Sequence, residues 1–114
     1  MPNTEDHRLC HLDEVADGDS NCFVRKTVDG LRSYMAIRQG NMIFVYINAC
    51  PHIGLPLDLK PGHFLNAEGD RILCTTHGAL FQIEDGVCVS GPCIGDTLEA
   101  VPTTIRDGVV HITD

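Results

Sequence analysis

The sequence contains neither a long apolar run nor a basic leader. No stretch of about 18 apolar residues is present, so no transmembrane helix is expected. Residues 1–6 are polar and acidic, and they lack the basic-then-apolar pattern of a signal peptide. The expected location is therefore the cytoplasm, where cysteines alternating with histidines point to metal binding or catalysis more often than to disulfides.

Positive charge is also scarce. Eight lysines and arginines face 16 aspartates and glutamates, which gives a formal net charge of −8 at pH 7. Nucleic acid is an unfavourable partner for such a chain, because phosphate binding needs a basic surface. The charge suits docking onto a basic patch of another protein, although it is equally consistent with a role in solubility alone.

Helical periodicity is missing as well, since no stretch combines a sustained 3.6-residue period with capping residues. Short β-branched and aromatic runs separated by turns take its place, and no linker or repeat divides the 114 residues. They predict one all-β domain over residues 1–114, an antiparallel sandwich or small barrel. The first three runs predict an antiparallel meander with a hairpin turn at Asp29-Gly30. The predicted strands cover residues 21–28, 31–38, 42–48, 71–74, 79–83, 86–89, 98–105 and 109–113.

The segment between these two groups of strands is irregular. Residues 49–69 include three prolines and three glycines, yet they are neither strongly charged nor poor in apolar residues. A long loop inside a compact domain is usually functional or disordered. Because potential metal ligands stand at its start, a functional loop is the better interpretation.

Two short clusters of cysteine and histidine carry the chemistry. Cys50 and His52 form a C-x-H pattern, and Cys74 and His77 form C-x-x-H after the intervening residues 53–73. Each half supplies one thiolate and one imidazole donor from a predicted turn between strands. This matched arrangement predicts a metal centre with two sulfur and two nitrogen ligands.

The flanking glycines favour a bulky inorganic group at this centre, and a zinc site is the alternative. Gly54 and Gly78 let the backbone bend around a bulky inorganic group and turn its N–H groups toward sulfides. A structural zinc site is the alternative, since tetrahedral zinc accepts cysteine and histidine together. The usual zinc patterns pair C-x(2–4)-C with H-x(3–5)-H, whereas each half here mixes the ligand types, so the zinc reading is the weaker of the two.

With these motifs the sequence resembles the Rieske iron–sulfur family, whose hallmark is C-x-H followed by C-x-x-H on two facing loops. The resemblance extends over residues 48–54, 56–58, 74–81 and 85–92, most of the second half of the chain. It implies one [2Fe–2S] cluster in an all-β fold. It also implies a cluster-binding subdomain at about residues 48–84, inserted into a base formed by the flanking segments.

The resemblance further implies a role for each ligand. Cys50 and Cys74 would hold one iron, and His52 and His77 would hold the other. A Gly-Pro loop covers the cluster in this family and corresponds here to residues 91–92. The residues expected to surround the ligands are Gly54, Gly78, Ala79, Phe81, Gly91 and Pro92.

Four further positions predict a low reduction potential. High-potential respiratory Rieske proteins carry a serine and a tyrosine whose hydroxyls donate to the cluster and its ligand sulfur, and Ala79 and Phe81 occupy those positions here. They also join the two loops by a disulfide, and the matching positions are Leu55 and Thr76. The resemblance therefore predicts the low-potential, ferredoxin-like type, near the bottom of a range that begins at about −150 mV.

The remaining cysteines and histidines receive simpler interpretations. Cys88 and Cys93 could form a disulfide or a second redox pair, but two small buried thiols are favoured in the cytosol. Cys10 and Cys22 have no histidine at ligand spacing and are expected to pack in the core. His63 is expected on the surface or in loop packing, because the cluster already has four donors.

The resemblance implies an electron carrier rather than an enzyme that acts alone. With 114 residues, the chain is expected to have no room for the mononuclear iron domain of a Rieske oxygenase. The expected partners are a flavin reductase and a terminal oxygenase, with neither nucleic acid nor membrane involved. One alternative is the small Rieske subunit of a larger reductase such as assimilatory nitrite reductase, and another is a zinc-stabilised interaction module.

Overall fold

A computed structural model describes residues 8–27, 30–51, 56–58, 62–74 and 78–113. These residues form short β-strands and a single 3-10 turn, which confirms the all-β prediction. Within them, no helix is long and apolar enough to cross a membrane. The elements are β1 Arg8–His11, the 3-10 turn Leu12–Glu14, β2 Ser20–Thr27, β3 Gly30–Gln39, β4 Met42–Ile47, β5 Arg71–Cys74, β6 Ala79–Gln82, β7 Cys88–Ser90, β8 Thr103–Arg106 and β9 Val109–Ile112.

The strands form three antiparallel sheets of three strands each. Their orders are β1-β9-β8, β2-β3-β4 and β5-β6-β7. The second sheet is the predicted meander. Thr27 pairs with Gly30, so Gly30 is the first residue of β3, and Asp29 of the predicted turn lies outside the described residues.

The β2-β3-β4 sheet lies between two hydrophobic cores. Residues 34–37 of β3 are all buried, although successive side chains of a strand point to opposite faces. Tyr34 and Ala36 enter one core with β1 and β9, whereas Met35 and Ile37 enter the other. A strand buried on both faces reads as a continuous apolar run, which is the pattern seen here.

The second core joins the central sheet to β5-β6-β7. Tyr46 of β4 belongs to this core, and its hydroxyl donates a hydrogen bond of 2.6 Å to the Ile83 carbonyl just after β6. The loops that follow β4 and β5 therefore both begin at this core. Its buried members are Met35, Ile37, Tyr46, Cys50, Leu57, Phe64, Ile72, Cys74, Ala79, Phe81, Ile83, Cys88, Cys93 and Leu98.

The C-terminal hairpin corrects one predicted strand. The prediction for residues 98–105 starts too early, because β8 begins at Thr103, directly after Pro102, which has no N–H for a ladder. The predicted turn at Asp107-Gly108 is confirmed, with φ of 55° and 78° between the paired ends of β8 and β9. The strand β1, which pairs with β9, was not predicted.

Candidate metal centre

Two of the four predicted ligands, Cys50 and Cys74, lie in the described part of the chain, and both are buried. Cys50 comes shortly after the end of β4 and is 1% exposed, while Cys74 is the last residue of β5 and is fully buried. Both belong to the core beneath the central sheet. The structure thus brings the two predicted thiolate donors into one core.

His52 and His77 lie outside the described residues, as do Gly54, Leu55 and Thr76. Among the residues that are described, no group of three or more histidine, cysteine or acidic side chains is placed to hold a metal ion.

The segment that carries Cys50 is bounded by a buried asparagine. Asn48 is 7% exposed, and its side-chain oxygen Oδ1 accepts a 2.9 Å hydrogen bond from the Leu57 N–H. Its amide nitrogen donates to Asp58 Oδ1 at 2.9 Å. The second oxygen of Asp58 accepts from the Gly62 N–H at 3.0 Å. This network is a feature of the site that sequence reasoning missed.

The second cysteine stands at the loop end of the β5-β6 hairpin. Cys74 pairs with Ala79 across the ladder, and the Gly78 N–H donates to the Cys74 carbonyl at 2.7 Å. Ala79 and Phe81 alternate with Leu80 along β6, so they share one face of the sheet, and both are fully buried. That face therefore presents a methyl and a phenyl group, without a hydroxyl, beside the second cysteine.

The predicted Gly-Pro loop packs directly against β6. Gly91 has a φ of 100°, which L side chains rarely adopt, and a Cβ there would lie 2.8 Å from Ala79 Cα. Pro92, the next residue, is exposed. Only glycine allows the backbone of this loop to approach the start of β6 so closely.

Cys88 and Cys93 are a pair of buried thiols. Their sulfur atoms are 3.0 Å apart, and the Cys88 thiol contacts the Ser90 carbonyl at 3.3 Å. Burial, followed by the hydrogen bond with Cys88, raises the pKa of Cys93 to about 12. None of the six cysteines, all of which are described, forms a disulfide. The favoured interpretation of two buried thiols is confirmed.

Other candidate residues lie where packing explains them. Cys10 is buried in the core on the opposite face of the central sheet, and burial, helped by Glu14, raises its pKa to about 11. Cys22 is half-buried, with its sulfur 3.2 Å from Ser33 Oγ. His63 is exposed. The predictions that Cys10 and Cys22 pack and that His63 lies on the surface are therefore confirmed.

A shallow cleft opens beside the first cysteine. Its volume is about 320 Å³, and the surrounding backbone comes from the segment after β4 and the segment before β8. Glu99 is the charged residue among those that line it. The lining residues are Ile47, Ala49, Cys50, Pro51, Thr97 and Glu99.

The described residues fit an iron–sulfur cluster. Thiolates are the protein ligands of iron in such clusters, and two cysteines stand in one apolar core where surrounding side chains exclude water. The close approach of Gly91 to Ala79 leaves the Gly-Pro loop tight against the strand that follows the second cysteine. Small antiparallel sheets with two cysteine donors in one core fit the class of β-sheet iron–sulfur proteins.

Comparison with known families agrees with this class. The model of the Rieske [2Fe-2S] domain matches residues 5–104, and the chain belongs to this family. Its cofactor is accordingly one [2Fe–2S] cluster. Among curated proteins, none matches the chain.

Solved structures with the same fold include ferredoxins, among them the ferredoxin of a dioxygenase. The ferredoxin of carbazole 1,9a-dioxygenase from Nocardioides aromaticivorans IC177 is 25% identical, with a TM-score of 0.71, over 92% of this chain and 93% of its own. The ferredoxin of Sphingomonas yanoikuyae B1 is 27% identical, with a TM-score of 0.72, over 94% and 96%. A chain from the complex of reduced oxygenase and oxidized ferredoxin in carbazole 1,9a-dioxygenase has a TM-score of 0.70 at 21% identity, covering 92% and 89%, and shows the fold alone.

Proposed function

We propose that the chain is a one-electron carrier whose cluster is held by Cys50 and Cys74 on one iron and by His52 and His77 on the other. The burial of both cysteines in one core, at the ends of β4 and β5, is the observation that carries this proposal. The ligand spacing and the family membership support it. The cluster-binding subdomain then spans about residues 48–84, within a single domain of residues 1–114.

The ligand set determines the electrostatics of the centre. When bound, the cluster accepts and releases one electron at a time. His52 and His77 bind as neutral imidazoles where other clusters have two thiolates, so the cluster and its ligands carry two fewer negative charges. The free-energy cost of adding an electron is therefore lower. Rieske centres therefore lie at about −150 to +300 mV, above the plant-type ferredoxins at about −400 mV.

Within that range we place this chain at the low end. Hydrogen-bond donors near ligand sulfur stabilise the reduced state, because it carries one more negative charge. Ala79 and Phe81 are fully buried on the face of β6 beside Cys74 and offer no such donor. Leu55 and Thr76 stand where high-potential members have their disulfide cysteines.

The proposed partners are a flavin reductase as electron donor and a terminal oxygenase as acceptor. The similarity in length and fold to two ferredoxins, one of them the ferredoxin of carbazole 1,9a-dioxygenase, supports a shuttle, because each match covers more than nine-tenths of both chains. The net charge of −8 suits transient docking on a basic surface. A fixed small subunit of a larger reductase, such as assimilatory nitrite reductase, is the alternative.

The test combines cofactor analysis with electron transfer. Protein purified without oxygen should hold about two iron and two sulfide per chain. A flavin reductase with NADH should bleach its visible absorption, and a terminal oxygenase should restore it. Stoichiometric zinc without a reducible absorption band would overturn the cluster, whereas co-purification as a fixed assembly would replace the shuttle by the subunit.

A further inference from the structure

Asn48 is the one polar residue that is buried among those the structure describes. It stands between the end of β4 and the first cysteine, and it is bonded to Leu57, a member of the core that contains Cys50. We propose that Asn48 and Asp58 form a clamp, a pair of positioning residues that holds the segment carrying Cys50 in place for the cluster. This inference rests on the proposed function.

The backbone of Asn48 is fixed to the central sheet. Its N–H donates to the Ser33 carbonyl at 3.0 Å, which continues the pairing of β3 with β4 beyond Ile47. The side-chain amide also donates to Ser33 Oγ at 3.2 Å. Asn48 therefore belongs to the rigid sheet, although it lies outside the strand itself.

The side chain of Asn48 also holds the far end of the segment. Its oxygen accepts from the N–H of Leu57, which is fully buried, and its nitrogen donates to Asp58 Oδ1, both at 2.9 Å. Asn48 and Leu57, which flank residues 49–56, thus meet at one amide group. Because Cys50 lies two positions after the clamp, a shift of Asn48 or Leu57 displaces the thiol directly.

Asp58 extends the clamp to the next turn. One carboxylate oxygen accepts from Asn48 and the other from the Gly62 N–H at 3.0 Å. Hydrogen bonds to a charged acceptor are shorter and stronger than neutral ones, and a low-dielectric surrounding strengthens them further. Asp58 is half-buried, so these bonds are partly shielded from water.

Three substitutions separate the hydrogen bonds from the shape of the side chains. Asn48→Asp keeps the acceptor for Leu57 but turns an oxygen toward the Asp58 carboxylate, which repels it. Asp58→Asn leaves one oxygen for two donors. The double exchange of both residues restores the bond between them with donor and acceptor reversed, because the new amide at 58 donates to the new carboxylate at 48. The N–H groups of Leu57 and Gly62 keep their acceptors.

Asn66 and Asp70 provide a matched control. The Asn66 amide nitrogen donates to Asp70 Oδ1 at 2.9 Å, and its oxygen accepts from the N–H groups of Asp70 and Arg71 at 3.0 Å. The pair has the same chemistry, but it lies on the exposed turn before β5. Asn66→Asp therefore creates the same carboxylate pair away from the first cysteine.

The experiment measures cluster loss and local opening in the same samples of holoprotein. Cluster release into an iron chelator is followed by the decay of visible absorption, and hydrogen exchange is followed at Leu57, Gly62 and Val110. Removing a partner that orients a metal ligand costs about 10–100-fold in metal affinity. We expect Asn48→Asp to release the cluster at least about 10-fold faster. Its amide hydrogens should exchange faster at Leu57 and Gly62, but not at Val110 in the opposite core.

The controls decide between a clamp and a general loss of stability. Asn66→Asp should change the release rate by no more than about twofold, as surface substitutions do. The release rate of Asp58→Asn should lie between those of Asn66→Asp and Asn48→Asp. The double exchange should release the cluster at close to the wild-type rate. Equal rates for Asn48→Asp and Asn66→Asp, no recovery in the double exchange, or faster exchange at Val110 would each overturn the clamp.

Failure of the proposed function has a different outcome. A wild-type protein that holds no iron and sulfide contradicts the cluster itself, before any variant is compared. If Asn48→Asp does not fold, Asp58→Asn and the double exchange still test the clamp, because the release rate of the double exchange must be the slower of the two.

Discussion

The side chains of Ala79 and Phe81 determine which groups surround the second cysteine. We expect Phe81→Tyr to raise the midpoint potential by about 60 mV, because a hydroxyl that donates to sulfur favours the reduced state by about 1.4 kcal/mol. A potentiometric titration followed by visible absorption measures the shift. Phe23→Tyr in the opposite core is the control and should leave the potential unchanged. A potential that stays constant or falls in Phe81→Tyr would contradict the expected role of this position.

The contact between Gly91 and Ala79 gives a second prediction for a single residue. Gly91→Ala should destabilise the protein more than Gly95→Ala does. Both glycines have a positive φ, 100° and 97°, but a Cβ at Gly91 would lie 2.8 Å from Ala79 Cα, whereas nothing lies within 4 Å of one at Gly95. Backbone strain of about 1–3 kcal/mol is common to both. The difference between the urea midpoints of the two variants measures the effect of the contact with Ala79. Equal midpoints would show that the loop moves away from Ala79 freely.

The residues of the candidate site differ in how far the sequence alone predicts them. The two cysteines share one core, which agrees with the specific spacing of the predicted ligands, and the Gly78 N–H donates to the Cys74 carbonyl. The clamp of Asn48 and Asp58 could not be predicted, since its partners are separated by an irregular segment. No periodic pattern states which side of such a segment faces the core.

Among the elements, β4 and the turn after β6 are joined by the Tyr46 hydroxyl. We expect Tyr46→Phe to lower the free energy of unfolding by about 1–2 kcal/mol, because the buried bond to the Ile83 carbonyl is lost. Tyr34→Phe, on the opposite face of the central sheet, is the matched control and should cost less. Urea unfolding followed by far-ultraviolet circular dichroism compares them. Equal losses would mean that this bond does not stabilise the packing of the two sheets.

The elements themselves were predictable to different degrees. The meander of β2, β3 and β4 follows from alternating runs of β-branched and aromatic residues, and the run at residues 34–37 marks a strand buried on both faces. The strand β1 was missed because Arg8–His11 is short and alternates weakly. Residues 98–105 look like one strand, yet Leu98 packs into the core and Pro102 delays the ladder until Thr103.

For the whole molecule, Cys10 and Tyr46, together with Cys93, predict a loss of stability in alkali. Burial raises the pKa of Cys10 from 9.0 to about 11 and that of Tyr46 from 10.0 to about 12. In Tyr46 the carboxylates of Asp85 and Glu84 add to the effect. Above about pH 9 the unfolded chain therefore releases protons that the folded chain keeps, so stability is full below that pH and falls up to about pH 12.

Urea midpoints at about pH 8 and about pH 10.5 measure this dependence. The midpoint should be lower at the higher pH, and Cys10→Ala should reduce the difference. A midpoint that is constant or rises between the two would contradict the buried, protonated state of these groups.

The two hydrophobic cores have different expected roles, one in stability and the other in holding the proposed centre. The core that contains Leu9, Phe23 and Val110 binds the terminal sheet to one face of β2-β3-β4, while both cysteines lie in the core on the other face. A substitution in the first core should therefore change stability without changing the centre. This separation makes Cys10 a suitable control for the proposed ligands.

The most direct test is the iron and sulfide content of cysteine variants, together with the electron paramagnetic resonance signal after reduction. The wild type and Cys10→Ala should each hold about two iron and two sulfide per chain and give the signal of a reduced [2Fe–2S] centre. Cys50→Ser and Cys74→Ser should lose both. A Cys74→Ser protein that keeps the native iron content and signal would contradict the assignment of the centre.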